Sequence, residues 1–208
     1  MKIAIYLAGS IKKGHEKSGD TYWTEADIQC IEQNLSECTI SFLNPAFRKD
    51  DLTDPLSVFG RDMLQVFSSN FVLVDARDRR GLGVGAEMMW AKLNGIPVIS
   101  WAPMNSHYHK RSTTLLDVPV ENFIHPFVEA LSDKIAEDLV EAALWIRKVL
   151  ADPSLSFKGI DHIGVAMEHY KKTQLHLDDP MKQMLEASKA LQQRAQRSLP
   201  QVTVSSCH

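Results

Sequence analysis

Apolar residues in the first part of the chain form short continuous runs that are separated by longer, more polar segments. Runs at residues 2–9, 70–76 and 96–102 predict buried β-strands, and a more mixed run at 39–45 predicts another. A weaker apolar patch at 121–127 is a candidate fifth strand. This part of the chain therefore has enough strand signals for a central sheet.

The segments between these runs have apolar residues at helical spacing. Thr24 is a plausible N-cap for a helix at residues 24–35, and Asp54 followed by Pro55 is a typical start for a second helix. The two remaining predicted helices are residues 81–95, which begin with a glycine turn, and residues 129–150. Alternating strands and helices over about 150 residues predict an α/β fold, a flavodoxin-like doubly wound parallel sheet of about five strands.

The composition changes after Pro153. Residues 154–208 are polar, contain no strand signal, and have one amphipathic helical patch at 181–197. We therefore expect an α/β domain at residues 1–153 and a helical C-terminal arm or tail at 154–208. The simplest interpretation of the arm is that it packs on the body or on a partner subunit.

Composition and charge exclude several classes of protein. The chain has 208 residues, of which 44% are apolar and 24% charged, and its net charge of −3 offers no electrostatic basis for binding nucleic acid or membranes. Its apolar runs are shorter than the roughly 18 residues that a membrane-spanning helix needs. Three scattered cysteines, an odd number without metal-ligand spacing, predict reduced thiols in a cytoplasmic protein.

The sequence predicts neither a metal nor a cofactor. The eight histidines lack the spacing of a metal site with a carboxylate partner. The glycine run at 81–85 does not match the dinucleotide-binding pattern GxGxxG, and in a nicotinamide-binding fold the glycines would follow strand one. We interpret Met88, Met89 and Trp90 as core or as the wall of a ligand pocket.

A ligand crevice is expected where the strand order reverses, at the carboxyl ends of strands one and three. Glycines in these loops would let backbone N–H groups approach a ligand closely. The candidate binding residues of the two loops are Gly9, Ser10, Ile11, Lys12, Lys13, Gly14 and Asp75.

Two carboxylates occupy unexpected positions on apolar helical faces near this crevice. Glu87 shares a face with Val84 and Ala91, and Asp62 lies between apolar residues of its own helix. A carboxylate on a buried stripe is unfavourable unless it is paired or used in chemistry. The alternative to a functional role is a helix cap or an ion pair with a nearby arginine. The candidate partners are Arg61, Arg77 and Arg79.

Three segments, taken together and in order, resemble a known family. They are "IYLAGSI" at 5–11, "RDMLQVFSSNFVLVDA" at 61–76 and "GLGVGAEMMWAKLNGIPVI" at 81–99. They are similar to the nucleoside 2-deoxyribosyltransferase superfamily, which includes the 2′-deoxynucleoside 5′-phosphate N-hydrolases. The resemblance covers roughly residues 2–101 and nothing after 153.

The resemblance implies a role for each matching residue. Glu87 takes the position of the nucleophile that attacks the anomeric carbon, Tyr6 that of the tyrosine orienting it, and Asp62 that of the aspartate implicated in sugar contact and proton transfer. The backbone positions that would line the sugar and its 5′ end are Gly9, Ser10, Gly83 and Gly85.

One departure from the family pattern bears on the substrate. Transferases that act on free nucleosides resemble "DVGLGxE" here, and Gly81 stands in place of their aspartate. Because an aspartate would repel a 5′-phosphate, its absence removes that barrier. Lys12 or Lys13 stands where the monophosphate hydrolases carry a basic residue, although plain solvated lysines are an equal alternative. Arg79 or Arg80 could also supply the positive charge.

The leading hypothesis is an N-glycosidase that cleaves the base–sugar bond of a nucleoside 5′-monophosphate. The alternatives are a deoxyribosyltransferase that exchanges bases between 2′-deoxynucleosides and a non-catalytic nucleotide-sensing module. The expected partners are a small nucleotide or nucleoside and further copies of the chain. Residues 102–112 predict a long polar loop that, like the arm after Pro153, could close the active site of a neighbouring subunit; a mobile loop on a monomer is the alternative.

Overall fold

The central sheet belongs to the first of two units, Met1–Phe157 and Lys158–His208, into which the chain divides. The computed structural model describes residues 1–11 and 22–197. The strands are β1 Lys2–Ala8, β2 Thr39–Leu43, β3 Phe71–Asp75, β4 Val98–Trp101, β5 His109–Leu115, β6 Val118–Ile124 and β7 Lys134–Ala136. The helices of this unit are α1 Glu25–Asn34, α2 Pro55–Phe67, α3 Leu82–Leu93, α4 Pro126–Leu131 and α5 Leu139–Ala151.

Five parallel strands form the sheet in the order β2-β1-β3-β4-β7. In the central strand β1, Ile5 lies opposite Phe42 on one side and Phe71 on the other. This is the strand order of a flavodoxin-like doubly wound fold, which confirms the predicted fold class. The order reverses between β1 and β3, so the loops that follow these strands meet at the carboxyl edge.

Strand alternation divides the core between the two faces of the sheet. Ile5, Leu7 and Leu73 belong to the cluster that packs with α1 and α5. Tyr6 and Val74 belong to the opposite cluster, with residues of α2 and α3. Neighbouring residues of one strand therefore lie in different environments, and this separates the functional candidates below.

The predicted helix starts are confirmed. Thr24 forms a capping box with Asp27 at the start of α1, and the Asp54 side chain accepts a hydrogen bond from the Leu56 N–H at the start of α2. Helix α3 has Gly81 as its N-cap and is followed by Gly95 with φ 68°. The predicted glycine turn is wrong in extent, because most of the glycine run already belongs to the first turns of α3.

The helix predicted at residues 129–150 is confirmed only for its second half, which is α5. This segment contains the end of α4, the short strand β7 and then α5. The apolar residues Leu131, Ile135 and Leu139 are spaced by four, so they imitate one helical face although a three-residue strand lies between them. The fifth strand of the sheet is consequently β7 and not the patch at 121–127.

Most of that patch belongs to a separate antiparallel hairpin. Strands β5 and β6, of seven residues each, are paired at six positions and joined by Leu116 and Asp117, which have φ angles of 47° and 65°. Such a two-residue turn usually contains asparagine or glycine, so the sequence offered little sign of it. The loop predicted at 102–112 is therefore shorter, because its last residues belong to β5.

The second unit is helical, as predicted for the C-terminal extension. Its described elements are α6 Ile160–Thr173, a 3₁₀ turn Leu175–Leu177, α7 Asp179–Ala187 and α8 Lys189–Gln196. In the described part of this unit no helical residue is fully buried. Across the described residues of the whole chain, no helix is long and apolar enough to cross a membrane.

Candidate active site

Glu87 and Tyr6 form a buried pair between α3 and the sheet. The Tyr6 hydroxyl donates a hydrogen bond of 2.8 Å to Glu87 Oε1. Tyr6 is completely buried, and Glu87 is 7% exposed. Their contact follows from the fold, because position 6 of β1 faces α3 and Glu87 lies on the face that α3 presents to the sheet with Val84 and Ala91.

Among the described residues, Glu87 has no positive partner that would compensate for its burial. Its second oxygen, Oε2, is buried and has no hydrogen-bond partner within the described part of the chain. Desolvation raises the pKa of Glu87 from the usual 4.5 to about 7, with a further increase from the charge of Asp62, while the Tyr6 hydrogen bond acts in the opposite direction. Around neutral pH this carboxyl group therefore exists in both protonation states.

Tyr6 remains a hydrogen-bond donor. Burial, followed by the charge and hydrogen bond of Glu87, raises the pKa of its hydroxyl far above the usual value of 10. A protonated phenol can hold one carboxylate oxygen while the other stays available for chemistry. Gly83 lies one helical turn before Glu87, and a Cβ atom there would be 3.9 Å from Glu87 Oε1.

Asp62, the third predicted catalytic residue, belongs to a network of ion pairs. Arg61 Nη1 lies 3.1 Å from its Oδ1, and Arg48 Nη1 lies 3.6 Å from its Oδ2. Asp50 connects the same two arginines from the other side. The ion pair with Arg61 is the alternative that sequence reasoning left open, and it forms. Asp62 is also close enough to Glu87 to raise the pKa of that residue.

Asp75 lies on the other face of the sheet and is not brought to Glu87. Its carboxylate accepts a 2.9 Å hydrogen bond from Arg77 Nε and lies 2.7 Å from Arg80 Nη2. These partners outweigh burial and lower the pKa of Asp75 below its usual 3.8. Arg77 in turn stacks 3.7 Å above the ring of Trp101. Asp75 therefore organises the edge of the sheet through its arginines and has no oxygen directed at Glu87.

The loop after β1 is described as far as Ile11. Trp23 covers Gly9, where an added Cβ would lie only 3.0 Å from Trp23 Nε1. Ser10 Oγ accepts a 2.7 Å hydrogen bond from Arg80 Nη1. Ile11 is partly exposed. The predicted Lys12, Lys13 and Gly14 lie outside the described residues.

The predicted glycines are divided between two sides of α3. Gly83 lies next to Glu87, whereas Gly81 and Gly85 line an apolar cavity of about 400 Å³. Among the described residues that line this cavity, neither Tyr6 nor Glu87 is present. Gly81 and Gly85 therefore border this cavity, which Val84 from the Glu87 face of α3 also lines.

Sequence reasoning missed the ion pair that follows β2. Arg48 and Asp50 lie in the loop after that strand, which reaches the same carboxyl edge as the loops that were considered. The two basic and two acidic residues in succession at 48–51 were the available signal. Tyr108 was also missed as a site residue; its hydroxyl accepts a 2.8 Å hydrogen bond from the backbone N–H of Arg80.

The site brings a buried carboxyl group together with a phenol that donates a hydrogen bond to it. Within the described residues, no group of three or more metal-ligating side chains comes together. No known family model and no curated protein matches the chain. The functional conclusion therefore depends on the residues themselves and on the resemblance of the three sequence segments.

Proposed function

We propose that this protein is an N-glycosidase that cleaves the base–sugar bond of a nucleoside 5′-monophosphate and releases free base and sugar 5-phosphate. The observation that carries the proposal is the state of Glu87. It is a buried carboxyl group with one oxygen held by Tyr6, the other without a partner among the described residues, and a pKa of about 7. The resemblance to the nucleoside 2-deoxyribosyltransferase superfamily assigns the nucleophile to the same residue.

In the proposed reaction, Glu87 Oε2 attacks the anomeric carbon of the sugar. The carbon–nitrogen bond breaks, the base leaves with its electron pair and takes up a proton, and a glycosyl ester forms on Glu87. Water then attacks the same carbon and releases the sugar phosphate with retained configuration. The resemblance assigns sugar contact and proton transfer to Asp62, which Arg48 and Arg61 hold in place.

A 5′-monophosphate is preferred over a nucleoside for two reasons. Gly81 removes the acidic side chain that would repel a phosphate group. Arg80 brings positive charge to the loop after β1, where its Nη1 donates to Ser10 Oγ. Phosphate oxygens are strong acceptors for such donors, and Lys12 or Lys13 would add to the same site.

The test is base release from a panel of nucleosides and their 5′-monophosphates, followed by chromatography with and without a second base. We expect kcat/KM for monophosphates to exceed that for the matching nucleosides by at least about tenfold, equivalent to about 1.4 kcal/mol. Replacing Lys12 and Lys13 by alanine should reduce this ratio. Equal use of nucleosides with base exchange would support the transferase, and tight binding without base release would support the sensing module.

We further propose a homo-oligomer, at least a dimer, in a reducing cytoplasmic setting. Helix α2 and the start of α3 expose large apolar side chains, among which Leu82 is 97% exposed. The others on this surface are Leu56, Phe59, Leu64 and Phe67. Burying such a surface against a second copy would be favourable, and residues 102–112 or the C-terminal arm would then reach the partner's active site. Light scattering at micromolar concentration tests this, because a fully active species of 23.4 kDa would exclude it.

A further inference from the structure

The hairpin of β5 and β6 is a small sheet without further strands in the described part of the chain. Its two strands pair with each other and not with the five-stranded sheet. In these two strands Phe123 is the one buried residue, and residues 111–122 are mostly exposed. An isolated two-stranded hairpin is at best marginally stable in water, and three or more strands are usually needed. A further strand at one edge of the hairpin would therefore stabilise it.

The free edge of β6 is unsuited to a further strand. Pro119 has no N–H group with which to pair, and proline within a sheet is typical of edges that remain unpaired. Asn122 has a φ angle of 51°, so the backbone of β6 leaves the extended conformation there, and the paired positions pass from Phe123 directly to Glu121. Irregular backbone and proline are both features that keep another strand from adding to an edge.

The free edge of β5 is regular. Because the turn has two residues, Leu115 and Val118 form the hydrogen-bonded pair that closes the hairpin, and hydrogen-bonded pairs then alternate with pairs that are not hydrogen-bonded. The backbone N–H and C=O groups of Thr114 and Ser112 therefore point away from β6. Both residues are exposed, and β5 contains neither a proline nor a positive φ angle. This edge can accept a further strand along its whole length.

The charges along β5 favour a second copy of the same strand as the partner. Lys110 and Arg111 lie before Ser112, which is the middle residue of β5, and two threonines follow it. Full antiparallel overlap of two β5 strands places Lys110 opposite Thr114 of the partner subunit and Arg111 opposite Thr113 of the partner subunit. Parallel pairing in register would instead place like charges side by side, which is unfavourable. The strand therefore complements itself in the antiparallel direction.

We propose that β5 pairs antiparallel with β5 of a second copy of the chain, across a two-fold axis at Ser112. The two hairpins then form one continuous sheet, and each copy contributes the same edge, as a two-fold contact requires. This inference rests on the proposed homo-oligomer and does not depend on the reaction at Glu87. It assigns a contact to the hairpin in addition to the exposed surface of α2.

Two proline substitutions provide a matched test. Ser112 and Glu121 lie opposite each other in the hairpin, and both are exposed. In a pair that is not hydrogen-bonded, proline removes an N–H from the outer edge and leaves the bonds between β5 and β6 intact. Ser112→Pro should raise the dissociation constant of the dimer by at least about tenfold in light scattering over a range of concentrations, and Glu121→Pro should leave it within about twofold. Equal dissociation constants for wild type and Ser112→Pro would overturn the proposal.

A cysteine at the axis provides a second test that does not disturb the backbone. Hydrogen-bonded antiparallel residues have Cα atoms about 5.5 Å apart, which is within the range of a disulfide. Mild oxidation of Ser112→Cys should therefore give a disulfide-linked dimer on a non-reducing gel. Glu121→Cys carries the same native cysteines and should give no more cross-linked dimer than wild type. Equal cross-linking of the two variants would contradict an axis at Ser112.

The outcomes separate this inference from the proposals on which it rests. A wild-type mass of 23.4 kDa at all concentrations would exclude both the homo-oligomer and the strand pairing. If Phe59→Asp in α2 dissociates the dimer and Ser112→Pro does not, the second copy binds the α2 surface alone and only the strand pairing is wrong. A dimer that Ser112→Pro dissociates and Glu121→Pro does not supports the pairing, whether or not the protein releases a base.

Discussion

Glu87 and Asp75 are two buried carboxyl groups near the same edge of one sheet, but their pKa values are shifted in opposite directions. Asp75 is fully buried, with guanidinium groups of Arg77 and Arg80 against its oxygens, and its pKa is lowered. Glu87 accepts a hydrogen bond from the phenol of Tyr6, its one partner among the described residues, and its pKa is raised to about 7. Burial opposes the charge on both residues, so the difference comes from their partners.

This comparison separates a structural carboxylate from one that is available for chemistry. The charge of Asp75 is neutralised by arginines that also contact Trp101 and Ser10, so it connects the loops of the edge. Within the described part of the chain Glu87 has no such compensation, and a carboxylate that is not already stabilised can gain more from forming a bond to an electron-poor carbon. The contrast in charged partners between the two carboxyl groups is thus the informative feature of the candidate site.

The largest expected effect is on the rate of base release and comes from removing the Glu87 carboxylate. Glu87→Ala should lower base release by at least about 10³-fold, equivalent to about 4 kcal/mol of activation free energy, because no other group replaces the nucleophile. Chromatography of the released base measures this, and circular dichroism verifies that the variant is folded. Residual activity above about 10% of wild type would contradict the covalent role.

For Asp75, the carboxylate that arginines compensate, the main expected effect is a loss of stability. Asp75→Asn leaves Arg77 and Arg80 without their charged partner and should lower the free energy of unfolding by about 3–5 kcal/mol. Urea unfolding at pH 7 measures this loss. Asp50→Asn is the matched control, because Asp50 also pairs with arginines but is partly exposed, and we expect a much smaller loss there. A loss at Asp75 as small as that at Asp50 would refute its structural role.

The two carboxylates should also give opposite pH dependences of stability. The folded protein holds a proton on Glu87 up to about pH 7, whereas the unfolded chain releases it near 4.5. The favourable contribution of protonated Glu87 is therefore lost as the pH rises through 7, by about 3 kcal/mol in total. Asp75, whose pKa is lowered, contributes stability above its unfolded pKa and loses it only as the pH falls through its folded pKa.

Glu87→Gln isolates the contribution of Glu87. The free energy of unfolding of this variant, relative to that of wild type, should increase as the pH rises from 5 to 8, because the variant cannot acquire the buried charge. Urea unfolding at both pH values measures the change. If the difference between variant and wild type is the same at pH 5 and pH 8, the pKa of Glu87 is not raised.

Most of the sheet could be predicted from sequence because its strands leave a direct signal. Strands β1, β3 and β4 are short apolar runs, and the caps Thr24 and Asp54 use ordinary helix-start chemistry. Strand β7 could not be predicted, since three residues are too few to show alternation. The hairpin turn at Leu116 has an unusual composition for positive φ angles, so local chemistry did not indicate it.

The candidate site was predictable only in part, and for a related reason. Glu87 and Asp62 stood out because a carboxylate on an apolar helical face is unusual within a single element, whereas Tyr6 was indicated by the resemblance of its segment to the family. Arg61, the chain neighbour of Asp62, was among the predicted partners, whereas Arg48 did not stand out because it meets Asp62 only in the folded protein. Asp75 and Glu87 are likewise separated by the folded sheet, because Asp75 lies on the face of the sheet opposite to the one that α3 covers.

The smallest expected effect concerns the hydrogen bond that Glu87 accepts from the Tyr6 hydroxyl. This bond stabilises the ionised form and lowers the pKa of Glu87, so Tyr6→Phe should raise that pKa and move the midpoint of the kcat/KM profile from about 7 towards alkaline pH. A hydrogen bond to a charged group contributes about 1.5–3 kcal/mol, and a shift of about one pH unit corresponds to the lower end of that range. Above the new midpoint the carboxylate is ionised again, so much of the lost activity should return. Tyr170→Phe is the control, because it removes a hydroxyl that donates to Asp178 in the C-terminal unit, and it should leave the midpoint unchanged. An unaltered midpoint in Tyr6→Phe would show that the phenol does not tune the carboxylate.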